Sequence, residues 1–472
     1  MGVIFKTKLS SLKQDDTTRI DTKFHSLMNE TGFDIFKAKK PNLTTLKNIL
    51  KPFYQIFEFE ESENYFGVPT GKEFTNEFGD IISTQSITKD EHPDRLRYKA
   101  DENCILISSL KGARTPALSF DFDLSKYVFS NGFYIFQVNE KWNKKFVLYL
   151  LRTNQLKFVL DNNLYRGIGI SSYKQDDFLR ILIPEISKGI QDKIVNEIQP
   201  LEKKINALKN SKLQPLNIIN QIFGEVLGFN WAEFESIKKE KIYISNISSF
   251  SNNIDCRFSY RFQHKSATYL HKFLESITNK KLKHFLESPI VLGSGISPKD
   301  FDEDGDYFYI SMATVKNYYF EKEDSQTVSE VYAKNNLEKS VQKNDIIMTR
   351  SGVAIGKFAL IEDDVNGIFA DFTMRIRLSG FQPLLAYYYF RSEFFQHLIT
   401  SHKKGLQNQN IFPSQIKEFP MPDWDEAKQL QIVEAIKTQL DAQKLIDKQI
   451  EAKQQAINKI IEDAIKQESI NA

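Results

Sequence analysis

The chain has 472 residues, 41% apolar and 26% charged, with 38 Phe and 19 Tyr, so it is globular and too long for one ordinary domain. Its net charge of +2, from 63 Lys and Arg against 61 Asp and Glu, excludes an indiscriminate histone-like coat on nucleic acid but not local basic patches. The N-terminal MGVIFKTKLSSLKQDD turns polar before a signal peptide's apolar segment could form, no run of about 18 apolar residues occurs, and Cys104 and Cys256 are far apart; a cytoplasmic protein with no membrane partner is expected.

In chain order, a short helical lead-in carries IDTKF (Ile20 to Phe24), and turn-rich β runs follow, with CILIS at Cys104 to Ser108 reading as a buried strand. An aromatic helix is predicted over Lys144 to Leu160, then a Gly-containing loop, Pro184 and a long charged helix. In that helix Ile194, Ile198, Leu201, Ile205 and Leu208 step by four and three, the seam of a coiled coil. Pro200 and Pro215 predict kinks or short breaks in it.

The same order then recurs. IDCRF (Ile254 to Phe258) precedes β runs at Tyr307 to Ile310, Asp345 to Met348 and Met374 to Leu378, an aromatic helix over Pro383 to Thr400, a Gly-containing loop, Pro422 and a second long helix. Its stripe runs through Val433, Ile436, Leu440, Ile446, Ile450, Ile457, Ile460, Ile461 and Ala464. Residues 166–198 align without gaps to 404–436 at an offset of 238: Arg166 meets Lys404, Gly167 meets Gly405, Pro184 meets Pro422 and Gln191 meets Gln429. The expected fold is therefore α+β: two tandem homologous domains at 1–185 and 229–424, a helical spacer at 186–228 and a C-terminal helix at 425–472, the two helices forming an antiparallel coiled coil with pseudo-twofold symmetry. The alternative is that each helix packs only on its own domain.

The duplicated IDTKF and IDCRF, DYFYIS after a Gly, DIIMTRSG, and KGLQNQNIFPSQIKEFPMP running into a Gln-rich helix with Ile-Val resemble, in their order, the specificity subunit of Type I restriction-modification systems, over essentially the whole chain. The resemblance implies two target recognition domains, each reading one half of a split sequence in double-stranded DNA. It implies helices that form a spacer and dock methyltransferase subunits, two of them, in a complex that includes restriction/translocase subunits. It also implies a phage-defence role in a prokaryotic cytoplasm, no catalysis and no cofactor in this chain, and S-adenosylmethionine, ATP and Mg on the partner subunits. About 40 helical residues at about 1.5 Å each make a rod near 60 Å, and a fixed separation translates into a fixed number of unread base pairs on a duplex that repeats in about 34 Å. The first half departs from the pattern, since KGARTPALSF (Lys111 to Phe120) lacks the SGVAIG of Ser351 to Gly356.

Reading bases takes Arg, Lys, Asn and Gln, and holding phosphates takes cations, hydroxyls and backbone amides. The second half offers two such clusters: Thr349, Arg350, Ser351 and Lys357 around a Gly-rich turn, and Lys403, Lys404, Gln407, Asn408, Gln409 and Asn410 in a polar loop. The first-half equivalents are Lys111 and Arg114, with Arg166, Tyr173 and Lys174. The alternative account of the polar loop is a solvated turn.

Other chemistry fails on spacing. Asp300, Asp302, Asp304 and Gly305 begin like a calcium loop, but Ser311 stands where a bidentate Glu is needed, and a tight Asp-Gly turn explains them. GVAIGK (Gly352 to Lys357) has too few residues for a phosphate loop, and Phe358 follows where Ser or Thr must bind magnesium. No Pro-Pro dipeptide of an adenine methyltransferase exists. Asp121, Asp123 and Lys126 only approximate a nuclease cluster, and His264 and His271 have no third ligand nearby. The competing readings are a protein-binding coiled-coil scaffold and, further behind, a metal-dependent nuclease.

Overall fold

A computed structural model describes residues 13–14, 17–18 and 43–468 except 60–63, 72, 76–78, 90–91, 112–114, 166–170, 243, 245–258, 316–321, 323–324 and 406–408. Both copies of the IDTKF-like motif lie outside the described residues. The chain divides into two compact units: unit 1 is Met1–Ser211 with Asp447–Ala472, and unit 2 is Lys212–Ile446.

Unit 1 begins with a pair of two-residue strands, β1 (Lys13–Gln14) and β2 (Thr17–Thr18). Next come β3 (Leu43–Thr45), one helical turn α1 (Leu46–Ile49), and the strands β4 (Leu50–Pro52), β5 (Gln55–Ile56), β6 (Tyr65–Val68), β7 (Gln85–Ile87), β8 (Leu96–Lys99), β9 (Cys104–Ser108), β10 (Ala117–Leu118), β11 (Tyr127–Ser130) and β12 (Phe133–Val138). The helices α2 (Lys144–Leu151), α3 (Asn154–Val159) and α4 (Gln175–Leu179) follow, then β13 (Leu182–Pro184) and the long helix α5 (Lys188–Ser211). One sheet has the order β10-β9-β12-β4 and is antiparallel; the other runs β5-β8-β11-β6-β7, with β6 and β11 parallel. Strand β9 is buried throughout because both its faces are covered. Ile105 and Ile107 point to the helices, while Cys104 and Leu106 point into the core shared with Val68 and Phe129 of the second sheet.

Unit 2 repeats this plan behind a helical entry made of α6 (Pro215–Leu227), α7 (Trp231–Lys238), α8 (Tyr260–Gln263) and α9 (Lys265–Ile277). It continues through β14 (Val291–Leu292), β15 (Tyr307–Ile310), β16 (Thr327–Val328), α10 (Glu330–Asn335), β17 (Ile346–Thr349), β18 (Phe358–Leu360), β19 (Gly367–Phe369) and β20 (Thr373–Ile376). Then come α11 (Pro383–Arg391), α12 (Glu393–His402), α13 (Pro413–Ile416) and α14 (Glu426–Glu468). The order β18-β17-β20-β14 reproduces β10-β9-β12-β4, and β16-β15-β19 reproduces β7-β6-β11, parallel pair included. Ile346 and Met348 face the helices and Ile347 the second sheet, as in β9. Equivalent single hydrogen bonds recur in the two units: Leu46 N–H donates to the Ile181 carbonyl and Leu282 N–H to that of Phe419, each at 2.9 Å, with the acceptors 238 residues apart and the donors 236.

Each aromatic segment is two helices rather than one. Thr153 and Ser392 interrupt them in extended backbone, and each hydroxyl donates to a carbonyl three residues back, Leu150 at 2.8 Å and Tyr389 at 2.6 Å, supplanting the helical bond. Pro200 lies inside α5 without ending it. Pro215, by contrast, follows a break at 212–214 and takes the first position of α6, where its missing N–H costs nothing.

The long helices pack antiparallel within each unit. In unit 1, Ile194, Val195 and Ile198 of α5 share a core with Ile461 and Ile465, while Lys204 and Leu208 lie beside Gln449 and Lys453. In unit 2, Leu213 N–H donates to Gln443 Oε1 at 2.8 Å, and Phe223 of α6 stacks on Trp424 with centroids 6.1 Å apart. The seam also packs on each domain: Ile432, Val433 and Ile436 join the core formed by α11 and α12.

Candidate nucleic-acid interface

In unit 2 the fold joins the two loops singled out from the sequence. The turn after β17 and the loop after α12 form a short ladder: Gly352 N–H donates to the Gln409 carbonyl at 3.0 Å, Ile411 N–H donates to that of Arg350 at 3.0 Å, and Ser351 pairs with Asn410. The second loop closes on itself, since Lys404 and Asn410 exchange backbone hydrogen bonds at 2.8 Å each way, with Gly405 at φ 99°. That positive φ suits glycine. Lys404 is exposed and Lys403 half-buried.

Unit 1 builds the same ladder from different residues. Lys111 N–H donates to the Ser171 carbonyl at 2.8 Å, Tyr173 N–H donates to that of Ser109 at 3.3 Å, and Leu110 pairs with Ser172. Ser171, Ser172 and Tyr173 are Gln409, Asn410 and Ile411 less 238. The divergent KGARTPALSF therefore starts from the same backbone scaffold as SGVAIG.

The side chains divide into two groups. Lys111, Lys174 and Lys404 are exposed; Arg350, Ser351, Lys357, Lys403, Gln409 and Asn410 are partly so. Arg350 Nε donates to the Asp371 carbonyl at 3.0 Å, which orients the guanidinium. Tyr173 and Thr349 are not contact groups. Tyr173 is 3% exposed, and its hydroxyl donates to the Ser108 carbonyl at 2.8 Å. Thr349 is fully buried; its hydroxyl donates to the Ala354 carbonyl and accepts from Lys357 N–H at 3.0 Å. Both shape the loops from beneath. Arg114, Arg166, Gln407 and Asn408 lie outside the described residues.

One cation escaped the sequence reading. Burial, together with the Arg261 guanidinium nearby, pushes the Lys403 ammonium below its ordinary value, and α8, which carries Arg261, packs on α12 with Phe262 against His402 at 5.1 Å. No spacing in the sequence links residues 142 positions apart. Two like charges held together favour an anion that offsets both.

A buried glutamine recurs at the start of each long helix. Gln191, wholly buried, accepts from Asn143 N–H at 2.7 Å and donates to the Ile186 carbonyl at 2.7 Å. Gln429 accepts from Gln382 N–H at 2.6 Å and donates to the carbonyls of Trp424 at 2.8 Å and Gly380 at 3.2 Å. Asn143 and Gln382 are the N-caps of α2 and α11, so each pin ties a long helix to an aromatic one.

The near-misses have local explanations. Asp121 lies within ion-pair distance of Lys144 and Lys145, and Asp123 accepts from the N–H and hydroxyl of Ser125. Asp302 accepts from Asp304 N–H in a turn, and His264 caps α9 while His271 meets Glu275. Among the described residues no three His, Cys, Asp or Glu cluster as metal ligands, and no helix is long and apolar enough to cross a membrane.

Residues 278–460 match the family model described as the Type I restriction modification DNA specificity domain. No curated protein matches the chain. Among solved structures, a chain from work on complex assembly and conformational transition of the type I R-M system is similar at 12% identity, over 90% of this chain and 98% of that one, with a TM-score of 0.44. The HsdS subunit from Thermoanaerobacter tengcongensis is similar at 12% identity over 90% and 96%, and the Type-I restriction-modification S subunit from M. genitalium at 12% over 90% and 95%, both with a TM-score of 0.34. The family match falls on unit 2 and α14, where the repeated motifs are most complete, so residues 278–460 are similar to the Type I restriction modification DNA specificity domain.

Proposed function

We propose that this chain is the non-catalytic, sequence-reading subunit of a Type I restriction-modification complex in a prokaryotic cytoplasm. Each unit reads one half of a bipartite duplex target through its paired loops. The long helices dock two methyltransferase subunits, and restriction/translocase subunits join the same assembly. S-adenosylmethionine, ATP and Mg belong to those partners. The observation that supports this most directly is the duplicated ladder: two units present two loops each, joined by equivalent hydrogen bonds 238 residues apart, with divergent polar side chains on a common backbone. A common scaffold with variable tips suits two reading heads of different sequence preference.

The test is duplex binding by the full chain with its methyltransferase partner, titrated with salt. Each phosphate neutralised contributes about 0.9 to the slope of log K against log salt, so Lys403→Gln with Lys404→Gln flattens that slope by up to about 1.8 and weakens all sequences alike. An unchanged slope refutes the assignment of these lysines. Failure of the unsubstituted complex to retain duplex DNA refutes the whole reading and favours a protein scaffold.

A further inference from the structure

The two ladders share a backbone but border on different side chains. In unit 2 the turn from β19 to β20 is closed twice, since Thr373 N–H and the Thr373 hydroxyl both donate to the Ala370 carbonyl, at 2.9 and 2.7 Å. Asp371 and Phe372 are its central residues. Arg350 holds both: its N–H donates to the Phe372 carbonyl at 2.9 Å and its Nε to the Asp371 carbonyl at 3.0 Å. The Arg350 carbonyl in turn accepts from Ile411 N–H, and Phe412 is the next residue along. The Phe372 side chain is 49% exposed and that of Phe412 40%.

Unit 1 builds the corresponding turn, from β11 to β12, around Asn131 and Gly132. Ser109 makes the two backbone bonds of Arg350: its N–H donates to the Gly132 carbonyl at 2.9 Å, and its carbonyl accepts from Tyr173 N–H. Ser109 therefore stands in the place of Arg350, Gly132 in that of Phe372 and Lys174 in that of Phe412. Gly132 has no room for a side chain, because a Cβ there would lie 2.7 Å from Thr70 Oγ1 and 3.0 Å from Thr70 Cγ2. At equivalent positions one unit carries a guanidinium and two rings, and the other a hydroxyl, a glycine and an ammonium.

Scattered exposed apolar side chains are ordinary on a protein surface. Phe372 differs in its place, next to the residue that ties both loops of unit 2 together, and in its backbone, which the doubly closed turn and Arg350 fix before anything binds. A preformed contact loses little conformational freedom on association. Along the major groove the distinctive apolar feature is the 5-methyl group of thymine, which Phe side chains meet, whereas Arg takes the acceptors of guanine. Resting on the reading that unit 2 binds duplex DNA through these loops, we propose that Phe372 packs on a thymine 5-methyl group in the half-site of unit 2. Gly132 gives unit 1 no counterpart of this contact, so the two halves of the target are read by different chemistry.

The test uses the full chain with its methyltransferase partner and the duplex target located by mapping methylated adenines, each thymine being replaced in turn by deoxyuridine, which lacks only the methyl group. One replacement weakens binding by the unsubstituted complex about fourfold, the worth of one buried methyl group. In Phe372→Ala the same replacement has no effect, and in Phe372→Leu, which keeps an apolar contact, part of the effect remains. Thermal melting of the free chain is the same for both variants as for the unsubstituted protein, so the loss is not one of fold. Retention of the target with no thymine coupled to Phe372 overturns this inference alone. Equal weakening of every duplex by Phe372→Ala, again without a coupled thymine, assigns the ring to the protein partner and overturns it likewise. Failure of the unsubstituted complex to retain any duplex overturns both this inference and the reading on which it rests.

Discussion

Replacing Gln429 by leucine removes three hydrogen bonds from a side chain that is 4% exposed: one accepted from Gln382 N–H and two donated to the Trp424 and Gly380 carbonyls. Leucine fills similar volume, so the loss is polar rather than steric. At about 1 kcal/mol net for each bond, and somewhat more where a partly buried group is left unpaired, the cost is about 3 kcal/mol. The same change at Gln191 removes two bonds and costs about 2 kcal/mol. Native-state hydrogen exchange reads each pin at its own amide, Gln382 for one and Asn143 for the other. Protection at Gln382 is expected to fall about a hundredfold, since 1.4 kcal/mol is a factor of ten, with Asn143 unaffected. Gln429→Glu keeps the acceptor but loses both donors and buries a charge, so it is worse than leucine. Unchanged protection in Gln429→Leu, or full rescue by glutamate, refutes the argument that the glutamine holds the helix.

Gly293→Ala is expected to destabilise unit 2 by about 1–3 kcal/mol in urea unfolding, because its Cβ would stand 2.1 Å from the Ala370 carbonyl oxygen and 2.3 Å from that of Phe369. Asp345 is fully buried and accepts from Arg377 at 2.7 and 2.9 Å and from Gln342 N–H at 2.9 Å. Asp345→Leu alone is expected to cost about 3–5 kcal/mol, and adding Arg377→Met to recover much of it, since the penalty is largely a stranded charge. Burial raises the Glu393 carboxyl, but hydrogen bonds from His397 and Lys238 outweigh it and hold the group below its ordinary value. Its contribution is therefore fully present above the unfolded value near 4.5 and lost as pH falls through the lowered folded one. Glu393→Gln flattens the acid limb of the unfolding midpoint against pH; an unaltered limb contradicts the assignment.

The duplication was legible because the offset survives in residues with structural duties. Pro184 and Pro422, Gln191 and Gln429, and the glycines of the second loop align in sequence, and the first two pairs occupy equivalent places in the structure. Strand assignments rested on apolar runs such as Cys104 to Ser108, which needed no long-range information. The breaks at Thr153 and Ser392 went unseen because an aromatic run hides a single hydroxyl that bonds back onto its own helix. Tyr173 and Thr349 looked like contact residues because a residue's type does not state its direction, and both turn inward under the loops they shape. Arg261 had no signal at all: its place near Lys403 depends on the packing of α8 on α12.

Unit 2 is, in connectivity, an insertion within unit 1, because Asp447–Ala472 belongs with Met1–Ser211. On a ribosome the apolar side of α5 emerges more than 200 residues before the Ile461 and Ile465 that cover it. Until that segment is made, the side of α5 that meets it lacks its cover, although Ile194 and Ile198 already share a core with Phe146, Phe178 and other residues made before them. A pause or nonsense codon after Ile446 thus penalises the half of the molecule made first.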